Sequence, residues 1–181
     1  MKAKKNILAI IGSASKNSAN LKLVEKIAEL SLNEFKVTIF DKLSDLPHFS
    51  PELSIDGTPD IILNFRQLIL DADGILICTP EYIFSIPSGL KNAIEWCVST
   101  TVFSGKPIGL ITASASGVKG HAELKLIMKT VETNFSEQTT LLIQGIKGKI
   151  DDKGNLLDIK TSTDVINFVA SFKAFVENAC C

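Results

Sequence analysis

The feature that most restricts the fold of this chain is a repeated alternation of short apolar runs with stretches of helical spacing. Ile7-Leu-Ala-Ile-Ile11, Phe35 to Phe40, Gly74-Ile-Leu-Ile-Cys-Thr79, Lys106-Pro-Ile-Gly-Leu-Ile-Thr-Ala113 and Thr139 to Ile146 read as strands. Between them, apolar residues recur at intervals of three and four. Leu23, Val24, Ile27, Ala28 and Leu30 give one helix a buried face. Ile61, Ile62, Phe65, Leu68 and Ile69 do so for the next, with Thr58 as N-cap and Pro59 at the first helical position. Leu90, Ala93, Ile94 and Cys97 form a third face; Leu124, Ile127, Met128, Val131 and Phe135 form a fourth. The last helix is expected to start near Thr161-Ser-Thr-Asp164, a capping-box pattern, and to bury Val165, Val169, Phe172 and Val176. Such alternation implies an α/β fold, a doubly wound five-stranded parallel sheet with helices on both faces and right-handed crossovers. Runs that are apolar at nearly every position fit strands covered on both sides.

The connections that follow strands one, three and four carry the chemistry. Gly12-Ser-Ala-Ser-Lys-Asn-Ser-Ala-Asn-Leu21 joins a buried strand to a helix, so backbone N–H groups are left without acceptors where the helix dipole favours an anion. Ser13, Ser15 and Ser18 add hydroxyls. The spacing is neither Gly-x-Gly-x-x-Gly nor a nucleoside triphosphate loop, and a single terminal phosphate fits it better than a pyrophosphate. An ordinary serine-capped βα loop is the alternative. Pro80-Glu-Tyr-Ile-Phe-Ser-Ile-Pro87 sets an aromatic ring and free peptide groups at the end of the third strand, although Tyr82 and Phe84 also suit plain packing. Ser114-Ala-Ser-Gly-Val-Lys-Gly120 is rich in small residues that admit a planar ligand close to the backbone. With strand order 2-1-3-4-5, a flavodoxin-like arrangement, these three loops converge on one pocket.

Composition removes several function classes. A net charge of -1 gives no general attraction to nucleic acid or an anionic membrane. No apolar run approaches a membrane span or a signal-peptide core, so a single cytoplasmic domain over residues 1–181 is expected. Cys78, Cys97, Cys180 and Cys181 have no zinc-ligand spacing; the first two read as buried thiols and the terminal pair as a frayed end. No metal site is expected. Asp41 to Pro59, broken by Pro47, Pro51 and Gly57, is too irregular for a regular element and long enough to line one side of a site. Asp151-Asp-Lys-Gly-Asn155 reads as a turn at the tip of a surface extension. His48 and His121 read as surface residues, and Glu81 as a loop carboxylate acting through its backbone; no catalytic acid or base is nominated.

Gly12-Ser-x-x-x-x-Ser18-x-Asn20 resembles the phosphate loop of the NADPH-dependent FMN reductase family. Pro80-Glu-Tyr82, Ser85-x-Pro87 and Leu90-Lys-Asn-Ala-Ile-Glu-Trp96 are similar to its second signature, and the resemblance runs to about Phe175. It implies that Ser13, Ser15, Lys16, Ser18, Ala19 and Asn20 surround the FMN phosphate. It further implies that Pro80, Glu81, Tyr82, Ile83, Phe84 and Ser85 follow the isoalloxazine edge, with Ser114, Ser116 and Gly117 flanking the ring. Two positions depart from the family: Ser15 stands where Arg is common, removing a bidentate phosphate clamp, and Ile83 where Asn is common, removing a polar group.

The resemblance implies hydride passing from NADPH or NADH to FMN and on to a flat small-molecule acceptor: free flavin, quinone, azo compound or metal oxyanion. The resemblance implies NADPH over NADH, with weak discrimination as the alternative, since Arg66, the sole arginine, is the one possible guanidinium for a 2′-phosphate. The alternatives are a flavodoxin-type electron carrier, against which the near-neutral charge argues, and a flavin-free module on the same fold. A homodimer or dimer of dimers is implied, with Trp96-Cys-Val-Ser-Thr-Thr-Val-Phe103 as the apolar surface.

Overall fold

The computed structural model describes residues 3–15 and 17–179. Lys16 in the first loop and the terminal Cys180 and Cys181 lie outside the described residues. Strands β1 (Lys5–Ile11), β2 (Phe35–Phe40), β3 (Gly74–Thr79), β4 (Ile108–Ser114) and β5 (Thr140–Gln144) form one sheet in the order β2-β1-β3-β4-β5. Every pairing is parallel. The helices are α1 (Ala19–Leu30), α2 (Pro51–Ile55), α3 (Asp60–Asp71), α4 (Ser88–Glu95), α5 (Val118–Thr130) and α6 (Ile159–Asn178).

Alternation along the strands divides the interior in two. Leu8 and Ile10 of β1, Ile75 and Ile77 of β3, and Ile108 and Leu110 of β4 pack with α3, α4 and α5 around Phe65 and Trp96. Ile7, Ala9 and Ile11, Leu76 and Cys78, and Ile111 and Ala113 face the other way, onto α1 and α6 around Phe35, Phe168 and Phe172. Each large side chain fully removed from water here contributes about 1.5–3 kcal/mol. The chain leaves β1 toward one layer through α1 and leaves β3 toward the opposite layer through α4. Their carboxyl ends are neighbours, which opens a crevice between them.

Several expectations need correction. The segment from Asp41 to Pro59 is not irregular throughout: a turn of 3-10 helix covers Leu43–Asp45, and α2 starts behind Ser50, whose hydroxyl accepts from Leu53 N. Helix α3 is entered through Pro59 as N-cap, because the Thr58 hydroxyl instead donates to the Leu53 carbonyl. Its buried face is Ile62, Phe65, Arg66 and Ile69, while Ile61 and Leu68 are exposed. Helix α5 ends before Val131 and Phe135, which pack on the core from beyond it. Helix α6 begins earlier than expected, with Asp158 capping Thr161 N, and buries Phe168 where Val169 was expected. The turn at Asp151 is present, the carboxylate accepting from the N–H groups of Lys153 and Asn155.

Arg66 is a structural residue. Its guanidinium donates to the Trp96 carbonyl, to the carbonyl and hydroxyl of Ser54 at 3.1 and 3.0 Å, and to the Ser99 hydroxyl at 3.2 Å. Buried and held by these acceptors, it is not a nucleotide clamp. The run from Trp96 to Phe103 is likewise mostly internal: Trp96, Cys97, Val102 and Phe103 are buried in this chain's own core, and Val98 is the large apolar residue left exposed.

Candidate functional site

Gly12 extends β1 by one further bond, its N–H donating to the Cys78 carbonyl at 2.8 Å. A Cβ here would lie 2.3 Å from Thr79 Oγ1, so only glycine lets the turn pass this close to β3. The turn then satisfies itself with hydroxyls. Ser13 Oγ accepts from Ser15 N at 3.2 Å, and Ser18 Oγ, at the N-cap of α1, accepts from Leu21 N at 3.1 Å. The N–H groups of Ala19 and Asn20 fall at the first two helical positions, where helix geometry supplies no acceptor. The Asn20 amide is turned into the protein: it donates to the Ala113 carbonyl and accepts from the Cys78 thiol, pinning α1 to β4 and β3. Burial raises the pKa of that thiol far above its usual range.

The connection after β3 is built differently. Tyr82 and Ser85 exchange N–H to carbonyl bonds of 2.9 and 3.0 Å, closing a two-residue hairpin whose tip is Ile83 and Phe84. Both tip residues are left-handed, at φ 52° and 60°. That is the conformation Asn-Gly adopts readily and a β-branched residue resists. The tip is also solvent-exposed, Ile83 at 95% and Phe84 at 75%. At its base the Glu81 carboxylate accepts from Gly117 N at 3.2 Å and Gly120 N at 2.7 Å, at the start of α5. Its side chain therefore bonds a neighbouring element, beyond the backbone role expected of it.

These connections border a cleft of about 890 Å³, within the range of small-molecule and cofactor sites. Its lining brings together Ser13, Ser15, Ser18, Ala19, Asn20, Pro80, Glu81, Tyr82 and Ser114. The hairpin tip with Ser85, and Ser116 and Gly117 at the start of α5, stand outside that lining. Sequence reasoning missed a fourth wall. Gly145, Ile146, Lys147 and Gly148 after β5, with Ile150 and Asp152, close the far side, and Lys22 bonds Asp152 across the rim at 2.8 Å. The signal was present, since two glycines follow the fifth strand just as small residues follow the fourth. A second cleft of about 590 Å³ shares Ser13, Ser15 and Tyr82 and is walled by Asp41 to Asp45 and by Pro87 to Gly89. The long loop thus lines a neighbouring space.

His48 is exposed, but His121 is not the surface residue expected: its Nδ1 lies 2.9 Å from the buried Thr112 hydroxyl. Burial, reinforced by the Lys125 charge, holds its pKa below the ordinary imidazole value. The thiol of Cys97 is pushed up to about 12 by burial, with the Arg66 charge opposing. Among the described residues no cluster of His, Cys, Asp and Glu has the form of a metal site, and no helix is long and apolar enough to cross a membrane.

A family model for NADPH-dependent FMN reductases matches residues 5–144, a span that contains β1 to β5 and three of the four walls of the cleft. The chain belongs to the NADPH-dependent FMN reductase family. It is 31% identical over 179 residues to a 2-hydroxy-1,4-benzoquinone reductase of Burkholderia sp, covering 95% of this chain and 96% of that one. It is 27% identical to a quinone reductase of Escherichia coli K12 over 98% of both chains. Among solved structures, FerB of Paracoccus denitrificans, a flavoenzyme NAD(P)H:(acceptor) oxidoreductase, superposes with a TM-score of 0.80. Identity to FerB is 27%, over 97% of this chain and 98% of that one. As a member of the FMN reductase family, this chain is an oxidoreductase of flavodoxin-like fold that uses FMN with NAD(P)H as co-substrate. The donor set agrees with that cofactor. Hydroxyls and helix N-terminal N–H groups at one end of the cleft suit a phosphate.

Proposed function

We propose that this FMN reductase family member reduces quinones, with residues 1–181 acting as one FMN-binding domain. The observation that carries the reading is the division of the cleft into a donor-rich end at Ser13 to Asn20 and an aromatic rim at Tyr82 beside the apolar hairpin tip. FMN, when bound, supplies the transfer of hydride from a reduced nicotinamide to a flat acceptor.

The protein's own contribution is placement. Ser13, Ser15 and Ser18 offer hydroxyl hydrogens to the phosphate, with the N–H groups of Ala19 and Asn20 beside them. Pro80, Glu81 and Tyr82, with Ser114 and Ala115, form the walls against which a flat ring system is held. Tyr82 keeps one edge of that space dry while 45% of its surface stays open to an incoming acceptor. The Glu81 carboxylate is not placed as a general acid or base, because its oxygens are bonded to N–H groups of α5.

Three finer assignments belong to the same reading. With Arg66 buried, nothing supplies a guanidinium to the 2′-phosphate, and comparable use of NADPH and NADH is expected. The apolar surface for a homodimer is the Ile83 and Phe84 tip. Free, buried thiols at Cys78 and Cys97 fit a reducing, cytoplasmic setting.

Anaerobic mixing of the FMN-loaded protein with NADPH tests the proposal. Bleaching of the flavin band without another protein, and its return on adding 2-hydroxy-1,4-benzoquinone, is the expected result. No bleaching by either nucleotide would identify an electron carrier instead. Bleaching that only free flavin reverses would reassign the acceptor.

A further inference from the structure

Helix α5 has no cap of its own. Gly117 holds the N-cap position at φ 84° and has no side chain to accept from the first turn. The acceptor comes from 36 residues earlier, where the two oxygens of Glu81 take the Gly117 and Gly120 N–H groups. A carboxylate at a helix N-terminus is favoured by the macrodipole as well as by the bonds. The contact is fitted from both sides, since a Cβ on Gly120 would lie 3.2 Å from both Cβ and Cγ of Glu81 and 3.3 Å from the Ser85 carbonyl. Two more bonds support it. Ser114 Oγ donates to the Glu81 carbonyl at 3.4 Å, and Ile86 N donates to Glu123 Oε2 of α5 at 3.0 Å.

The hairpin between these anchors requires such support. Residues in the left-handed region other than glycine persist where their surroundings over-determine them. An exposed tip of Ile83 and Phe84 receives no such help from core packing. We propose that Glu81 is a positioning residue. By serving as the absent cap of α5 it clamps the base of the strained hairpin and fixes Tyr82 as a wall of the cleft. The clamp also fills the α5 N-terminus with the protein's own anion. The open N-terminus lining the cleft is then that of α1, which sets the end at which a phosphate is accepted. The consequence for FMN rests on the reading of the cleft given above; the clamp itself does not.

The test compares Glu81→Ala, Glu81→Gln and Gly120→Ala with wild type by amide hydrogen exchange without flavin and by FMN titration of the same preparations. Glu81→Ala should speed exchange at Gly120, Tyr82, Ser85 and Ile86 at least tenfold while leaving Leu21 in α1 unchanged. It should weaken FMN binding about 10- to 100-fold, the scale of one hydrogen bond to a charged group. Glu81→Gln keeps an acceptor for one N–H and should fall between, the partial rescue expected of a clamp. Gly120→Ala disturbs the same contact from the opposite side and should reproduce the alanine pattern, with the double variant no worse than either single one. Ser18→Ala should lose FMN affinity with no change in exchange at Tyr82 to Ile86. If Glu81→Ala fails to fold, the glutamine and Gly120→Ala variants decide. Wild-type exchange at the hairpin in those variants overturns the clamp, as does faster exchange spread evenly over the molecule. A wild-type protein that binds no FMN removes the cleft reading and leaves the exchange result to judge the clamp alone.

Discussion

The turn after β1 and the turn after β3 leave the same edge of one sheet, yet they are stabilised in opposite ways. The first is held locally: Ser13 and Ser18 accept from N–H groups two and three residues ahead, and its polar groups face the cleft. The second is held at long range by carboxylates, Glu81 reaching α5 and Glu123 reaching back to Ile86, with a strained apolar tip in solvent. A turn that uses hydroxyl oxygens as acceptors keeps the hydroxyl hydrogens to donate, which suits an anion. A turn whose N–H groups are already taken, Tyr82 and Ser85 by each other's carbonyls and Ile86 by Glu123, has little to offer a phosphate. It serves instead as a rigid surface for a flat face. The division of labour in the cleft follows from who satisfies each turn's backbone.

The largest expected effect attacks the geometry that lets the first turn lie beside β3. Gly12→Ala sets a methyl 2.3 Å from Thr79 Oγ1 and 2.5 Å from Thr79 Cβ, in a region closed on its other side by Leu90. The contact involves a fully buried residue on a central strand, so relaxation is limited. A loss of about 3 kcal/mol or more, at the upper end for overpacking, is expected in urea denaturation. A loss under about 1 kcal/mol would mean that the turn can move away from β3 and that the close approach is not required.

Ser18→Ala tests the claim that the first turn holds the phosphate through hydroxyls and peptide groups. The variant loses the bond from Leu21 N, about 1 kcal/mol of helix capping, and also the hydrogen offered to the ligand. Hydrogen bonds to charged groups contribute ~1.5–3 kcal/mol, so FMN affinity should fall about 10- to 150-fold in fluorescence titration. Lys16→Ala should do less if its ammonium stays in solvent, where ion pairs contribute ~0–1 kcal/mol. If the lysine variant is the more damaging and wild-type affinity drops steeply with salt, charge holds the phosphate and the comparison between the turns is wrong.

The strained side is probed by giving the hairpin the residues its backbone favours. Ile83→Asn with Phe84→Gly suits left-handed φ at both positions, and the folded monomer should gain about 1–2 kcal/mol by relief of strain. The same change removes the exposed apolar tip, so self-association measured by light scattering should weaken. Stability and assembly are thus predicted to move in opposite directions. A variant that is less stable and equally associated would show that the tip makes contacts within its own chain.

The framework was legible where one period dominates. Phe35 to Phe40 and Gly74 to Thr79 coincide with β2 and β3 because each apolar run is bounded by a residue that ends it. The parallel sheet followed from alternation, and its observed order is that of the flavodoxin-like arrangement expected for it. Boundaries failed where two caps compete: Asp158 accepts from Thr161 N, so Thr161 is buried inside α6 and does not start it. Arg66 was illegible because it shares a helix face with Ile62, Phe65 and Ile69, and its acceptors Ser54, Trp96 and Ser99 are supplied only by the tertiary fold. For the same reason the residues of the cleft could be named from Ser13 to Ser114 while the reach of Glu81 to Gly120 could not. A side chain's partner 39 residues away leaves no local pattern.

The smallest effect concerns His121, which follows Gly120 directly and so reports on the clamped side. Its ring is half-buried against Thr112, and burial first, then the Lys125 charge, lowers its pKa from the usual 6.5, with Glu137 opposing. The unfolded chain therefore takes up a proton near pH 6.5 that the folded chain refuses until a lower pH. Between those two values the unfolded state binds more protons, so stability falls as the pH drops and is level above and below that window. A cation in the first turn of α5 would also oppose the helix dipole. His121→Asn should remove this slope. Urea denaturation of both proteins at pH 7.5, 6.5 and 5.5 isolates it as a difference, since the other titrating groups, Glu137 and Lys125 among them, are common to both. Wild type should lose stability relative to the variant on acidification, and the protection of the Gly120 amide, its exchange rate corrected for the intrinsic pH dependence, should fall in wild type alone. Relative stabilisation of wild type at the lower pH would mean that the protonated ring finds an acceptor in the fold, and that the start of α5 tolerates a cation beside the carboxylate that caps it.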